Sequence, residues 1–301
     1  MNNSRLERRY VRTDLACESG RISPESCKGA VYSRTEEDGI TVERLKVENE
    51  TGEAETGKKR GRYTTVSSES FKNYYLKDET VKDALAKEIK EMTESAIKKD
   101  VTPNTNVLVV GLGNRFITAD SLGPRVADKI NATRHVRDTV KVFEDLGCSK
   151  VSVIQTGVLG QTGIESSELI CSAAKSVSPD IIIAIDALAA RSTSRLATTV
   201  QLTDTGISPG GGIGNRRLAI NKESTGCPVI SIGVPTIVGS STLIYDALER
   251  AGIEEIDPAL ENILENSRSF FVSLNDSDLV IDYLSDVISF SINSVFGTSE
   301  L

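Results

Sequence analysis

The chain has 301 residues, with 43 acidic side chains against 35 basic ones for a formal net charge of −8, and a single histidine, His135. One histidine excludes His-rich zinc or copper centres and two-histidine iron sites built from one chain, and any Ser-His-Asp or Cys-His arrangement must use His135 or borrow from a second chain. A net acidic chain is also unsuited to gripping nucleic acid or an anionic membrane by bulk charge, so neither is expected as a partner.

Five cysteines (Cys17, Cys27, Cys148, Cys171 and Cys227) are spread along the chain without a C-x-x-C. That argues against a zinc ribbon or a disulfide framework and suits a reducing, cytoplasmic setting. No apolar run approaches the ~18 residues of a membrane span. Arg5, Arg8, Arg9 and Arg12 are not followed by the apolar core of a secretory signal.

Residues 1–40 mix charge, Gly and Pro with short apolar pieces and show no clean period. Between 48 and 62 acids give way to bases with only Ala54 apolar, so the 45–62 stretch reads as an exposed loop or insertion. From Asp78 the texture changes. Val81, Ala84, Leu85, Ile89, Met92 and Ala96 recur at helical spacing, which predicts an amphipathic helix. Val107–Val110 reads as a strand, followed by a helix entered through Gly123-Pro124, where proline suits the first turn. A strand at Val151–Ile154 and a helix near Ser166–Ser176 come next. Asp180–Asp186 is a second buried strand, Thr198–Leu202 a polar-faced one and Pro228–Val234 another apolar one. Helices are expected near Thr242–Ala251 and over about Asp276–Asn293. Continuous apolar strands alternating with helices predict a three-layer α/β sandwich with a mostly parallel sheet.

In such sheets the functional crevice lies beyond the carboxyl ends of the strands. Two segments bring an aspartate there: Asp120, after Gly111-Leu-Gly-Asn-Arg-Phe-Ile-Thr-Ala, and Asp186, directly after Ile181-Ile-Ile-Ala-Ile185. Either aspartate alone is equally well read as a turn cap; both at one sheet edge favour chemistry. Gly111-Leu-Gly113 is not a dinucleotide fingerprint, because the sixth position is Phe116. Its glycines, with Asn114, suit a close backbone approach below a site. The run Ser208-Pro-Gly-Gly-Gly-Ile-Gly-Asn215 is either a flexible loop or a backbone cradle for an extended substrate. In the second case Gly211 and Gly212 lie against the substrate and Asn215 supplies an amide. The context of His135 points to a surface or helix-end position.

Taken in order, Val11-Arg-Thr-Asp-Leu-Ala16, Gly111-Leu-Gly-Asn with Asp120-Ser-Leu-Gly-Pro124, Asp186-Ala-Leu-Ala-Ala-Arg-Ser192, Pro209-Gly-Gly-Gly-Ile-Gly-Asn215 and Gly233-Val-Pro-Thr-Ile-Val238 resemble the germination protease (spore protease) family of endospore-forming bacteria. Each motif is weak alone; the ordered set covers nearly the whole chain apart from 45–62. The resemblance implies an aspartic-type endopeptidase with a fold like the hydrogenase-maturation proteases, needing neither cofactor nor metal. It implies catalytic aspartates at Asp120 and Asp186, and small acid-soluble spore proteins as substrates in the spore core. It also implies a homotetramer made as a zymogen. Asp14-Leu15-Ala16 fits the family's acid–aliphatic–Ala cleavage pattern, so residues 1–14 are expected as a propeptide removed between Asp14 and Leu15. A single α/β domain is then expected over 15–301. The chain departs from the family's pattern at Arg115-Phe116. Two other readings are a hydrogenase-maturation-type endopeptidase and a non-catalytic α/β binding or spore structural protein. The first needs a histidine after the second acid, and His135 precedes it.

Overall fold

The computed structural model describes residues 13–18, 27–75, 78–137, 147–209, 218–253, 257–266 and 270–299. Strands β1 (Ala30–Glu37) and β2 (Ile40–Val47) form a hairpin. Its turn residues Asp38 and Gly39 both take positive φ, the conformation that matches a two-residue turn to the twist of its strands. Helix α1 (Glu50–Thr56) is capped by the Asn49 side chain, which accepts from the Gly52 amide, and is closed by Gly57 at φ 69°. Strand β3 (Gly61–Ser67) then pairs antiparallel with β2.

The 45–62 stretch, expected as an exposed loop or insertion, is therefore the end of one strand, a capped helix and the start of another strand. Most of its charged side chains do face solvent, yet Val47 within it and Tyr63 directly after it are buried. Gly52 also lies so close to Gly29 that a Cβ there would sit 2.2 Å from the Gly29 carbonyl oxygen. A hairpin solvated on one face needs few apolar anchors, and composition alone misreads it.

Helix α2 (Glu79–Ile97) buries Val81, Leu85, Ile89 and Met92, the stripe read from periodicity. Its cap, Asp78, accepts from the Thr80 hydroxyl and from Ser70, which hold its carboxyl below the usual carboxylate range. Glu88 on the buried face is matched by Arg44 of β2, since a charge taken from water must be paired. Strand β4 (Asn106–Leu112), helix α3 (Leu122–Asp128), strand β5 (Lys150–Gly157), helix α4 (Ser166–Val177) and strand β6 (Ile181–Ala190) follow. After them come β7 (Thr199–Thr203), β8 (Val229–Gly239), α5 (Ser240–Arg250), α6 (Pro258–Asn266), β9 (Phe271–Val272) and α7 (Ser277–Val295).

The sheet runs β1-β2-β3-β7-β8-β6-β4-β5, with β9 on β8. Strands β5, β4, β6 and β8 are the expected parallel core. From β7 to β1 the pairing is antiparallel, an extension the sequence pattern did not announce. Alternate residues of β6 serve opposite faces. Ile181, Ile183 and Ile185 join the core beneath α2, α3 and α7, whereas Ile182 and Ala184 pack with Ile170 and Ala174 of α4. Helices thus cover both faces, giving three layers. Strand β6 continues four residues past Asp186 instead of ending there, because Leu188, Ala189 and Ala190 are apolar and stay buried between β8 and the N-terminal segment.

Candidate active site

Above α4, on the face that carries Ile182 and Ala184, the sheet opens into a cavity of about 610 Å³. Asp120, Asp186 and Asp14 all line it, with Gln201, Gly233 and Thr236 among the other walls. Asp186 is 6% exposed, and one of its carboxylate oxygens accepts from the Ala187 amide at 2.9 Å. It arises from the middle of β6, in register with Gly233 of β8. Gly233 leaves the space over its Cα to the Leu188 side chain, which a Cβ would meet at 2.5 Å.

Asp120 approaches from the other side. The chain leaving β4 turns at Gly113 (φ 106°), where a Cβ would lie 2.2 Å from the Asp120 carbonyl oxygen. A 3₁₀ turn, Thr118–Asp120, then leads into α3. The Asn114 amide donates to Asp120 Oδ2 at 2.8 Å. The Asn114 side-chain oxygen braces the loop by accepting from the Phe116 amide at 3.0 Å and from Gln161 at 2.7 Å. The Thr236 hydroxyl of β8 donates to the Ala119 carbonyl at 2.6 Å, tying the loop to the central strands.

The sequence-derived candidates separate on this geometry. Gly113 lines the cavity, and Asn114 acts through the Asp120 carboxylate and its loop. Gly111 lies beneath α3 instead of in the cavity wall: a Cβ there would fall 2.4 Å from the Gly123 carbonyl oxygen, so its job is to let helix and strand close together. Gly211, Gly212 and Asn215 lie outside the described residues, as do residues 1–12. His135 is exposed on the short helix Arg134–Arg137 and is not among the residues lining the cavity. Arg115 pairs with Asp128 at 2.9 Å, and Phe116 is exposed. Among the described residues no group of three or more His, Cys, Asp or Glu could hold a metal ion.

Asp14 and Leu15 are held against the same region. The Asp14 amide donates to the Ala189 carbonyl at 2.9 Å, and the Ala189 amide donates back to the Asp14 carboxylate at 2.9 Å. Leu15 is fully buried with Leu188, Ala190, Leu196 and Val238. Two residues beyond Ala16, the Glu18 carboxylate accepts from the Arg191 and Ser192 amides at 2.6 and 2.9 Å. On the far wall, burial pushes the Tyr63 phenol above its ordinary value, so it stays a neutral donor, to the Lys59 carbonyl at 2.9 Å.

A family model described as germination protease matches residues 9–251. The chain belongs to the germination protease family.

Among relatives of that name, the germination protease of Caldanaerobacter subterraneus subsp. tengcongensis is 44% identical, covering 79% of this chain and 72% of its own. That of Clostridium tetani is 37% identical over 94% of both chains, and that of Priestia megaterium 39% identical over 81% of this chain and 68% of its own. A crystal structure of the [NiFe] hydrogenase maturation protease HycI from Thermococcus kodakarensis is also similar, at 14% identity and TM-score 0.34, covering 64% of this chain and 94% of that one. This member of the germination protease family contains two site residues that sequence reasoning passed over, Gln201 and Thr236. Gln201 carries no signal until the register of β7 and β8 sets it level with Asp186 across Gly233, and Thr236 none until its hydroxyl is seen to reach the Ala119 carbonyl from an irregular point of β8.

Proposed function

We propose that this chain is an aspartic-type endopeptidase in which Asp120 and Asp186 together activate a water for peptide hydrolysis. The observation that carries the reading is that both carboxylates line one cavity with Asp14, the residue before the expected cleavage point. Hydrolysis needs a base to take a proton from water and an acid to give one to the departing amine. Two carboxylates sharing one proton supply both, because two negative charges confined together cannot both ionise easily, and their titration belongs to the pair. The hydrogen bonds from the Asn114 and Ala187 amides fix the carboxylate orientations before substrate arrives, which lowers the reorganisation needed during reaction.

In this reading the chain is made as a zymogen, cuts itself between Asp14 and Leu15, and as a homotetramer begins the breakdown of small acid-soluble spore proteins at germination. The pairing of Asp14 with Ala189 and the burial of Leu15 support self-cleavage, since they hold the expected scissile segment at the cavity. Intact-mass analysis of the purified full chain tests it. Wild type should lose a fragment ending at Asp14, while Asp120→Asn should remain at full mass. A wild-type cut elsewhere, or unchanged processing in Asp120→Asn, would overturn it.

A further inference from the structure

Gln201 lies on β7, 7% exposed, on the face that carries Asp186. Both residues are in register with Gly233 of the strand between them. Neighbouring strands lie ~4.8 Å apart, so the two Cα atoms are ~10 Å apart across Gly233, over which the Leu188 side chain folds, and both residues line the same cavity. The Gln201 amide is used at both ends. Its Oε1 accepts from the Ala16 amide, and its Nε2 donates to the Asp14 carbonyl oxygen at 3.2 Å. Because the Ala16 N–H requires an acceptor, the amide can face only one way, and Nε2 must point at Asp14. That carbonyl belongs to the Asp14–Leu15 peptide.

We infer that Gln201 is a catalytic residue, the side-chain donor that polarises the scissile carbonyl and holds its oxygen when water adds; this rests on the cleavage reading given above. Water oxygen bonds to the Asp14 carbonyl carbon and loses a proton to the ionised carboxylate of the pair. The carbonyl π electrons move to the oxygen facing Gln201 Nε2. When that tetrahedral species collapses, the bond to the Leu15 nitrogen breaks and the nitrogen takes a proton from the protonated carboxyl. The products are a C-terminal Asp14 and a free Leu15 amine. A neutral amide suits this task. It strengthens its bond as negative charge grows on the oxygen without adding a fixed charge that would hold the acid pair ionised.

The test uses the full chain as wild type, Gln201→Met and Gln201→Glu. Methionine keeps the volume and removes both the donor to Asp14 and the acceptor for Ala16. Glutamate keeps the acceptor for Ala16 and lacks a donor when ionised. Two rates are read: first-order self-processing by intact mass, and hydrolysis by the matured chain of a synthetic peptide with the sequence of residues 8–20. Loss of one such donor is worth about 10²- to 10³-fold in kcat, so both variants should fall by at least about 10²-fold at neutral pH, and in Gln201→Glu, which keeps the acceptor for Ala16, KM should change less than about threefold. The ratio of Gln201→Glu to wild-type kcat should rise as pH falls, because a protonated carboxyl donates again. Wild-type kcat in Gln201→Met, a loss confined to KM, or a pH-independent Glu-to-wild-type ratio would each overturn the inference. If Asp120→Asn and Asp186→Asn also kept full activity, the failure would lie with the reading of the site itself.

Discussion

Replacing Leu15 by alanine probes how the N-terminal segment is held. Leu15 has no solvent exposure and packs among Leu188, Ala190, Leu196 and Val238. Removing three carbons forfeits about 0.8 kcal/mol each in transfer energy, and the unfilled space raises the total to about 2–5 kcal/mol. The segment 13–18 is a short unit held by this one large side chain, the Asp14–Ala189 pair, the Gln201 amide and the Glu18 carboxylate. The loss should therefore fall on local opening of the segment and leave global unfolding nearly unchanged. At ~1.36 kcal/mol per decade, a local loss of about 2–5 kcal/mol raises exchange of the Ala16, Arg191 and Ser192 amides about 30- to 5,000-fold. Hydrogen exchange read by mass spectrometry checks this, with Asp120→Asn present so that the chain stays uncut. Self-processing in the otherwise wild-type chain should slow as the docked population falls. Unchanged exchange at these amides, or an equal increase throughout the β6 and β8 core, would refute the reasoning.

Acid stability should follow three carboxylates. Burial works to raise the Asp180 pKa, but Lys99 and the Asn106 amide, both at 2.8 Å, outweigh it and hold it below its ordinary value. Burial is likewise outweighed at Asp282 by Lys129 and then Arg125, and Asp78 is lowered by Thr80 and Ser70. A depressed folded pKa contributes stability above the unfolded value of ~3.9 that is lost as pH falls through the folded one. The melting midpoint should thus be flat from about pH 7 to 5 and fall below about pH 4. Asp180→Asn should cost about 1 kcal/mol at pH 7, with the gap closing in acid; a gap constant with pH would contradict this. Gly123→Ala should destabilise by about 3 kcal/mol and abolish activity, because its Cβ would lie 2.2 Å from the Leu112 and 2.5 Å from the Ile185 carbonyl oxygen and push α3 and Asp120 away. A wild-type denaturation midpoint would sink that argument.

The parallel half of the fold was legible because β4, β6 and β8 are continuous apolar runs and α2 and α4 carry clean stripes. Of the antiparallel wing only β7 was, as the polar-faced strand expected at Thr198–Leu202 and found at Thr199–Thr203; β1, β2 and β3 were not. In β1 the pattern is almost wholly exposed, and the caps at Asn49 and Gly57 are signals only once a helix between them is suspected. The two aspartates could be found from their places after apolar strands, although β6 runs on to Ala190 and Asp186 is a mid-strand residue. Gln201 could not be found so. Its position opposite Asp186 depends on both strands sharing Gly233, a long-range register with no local trace in the sequence. Gly111 misled for the converse reason: a glycine kept for helix packing looks in sequence like one kept for a ligand.

The most direct test of the central claim is digestion of a purified small acid-soluble spore protein by wild type, Asp120→Asn and Asp186→Asn, followed by mass. Each amide variant should retain the wild-type fold by circular dichroism and melting, yet cut at least about 10²-fold more slowly, as expected when a general acid or base is removed. Near-wild-type cleavage by either folded variant would contradict the shared-proton mechanism.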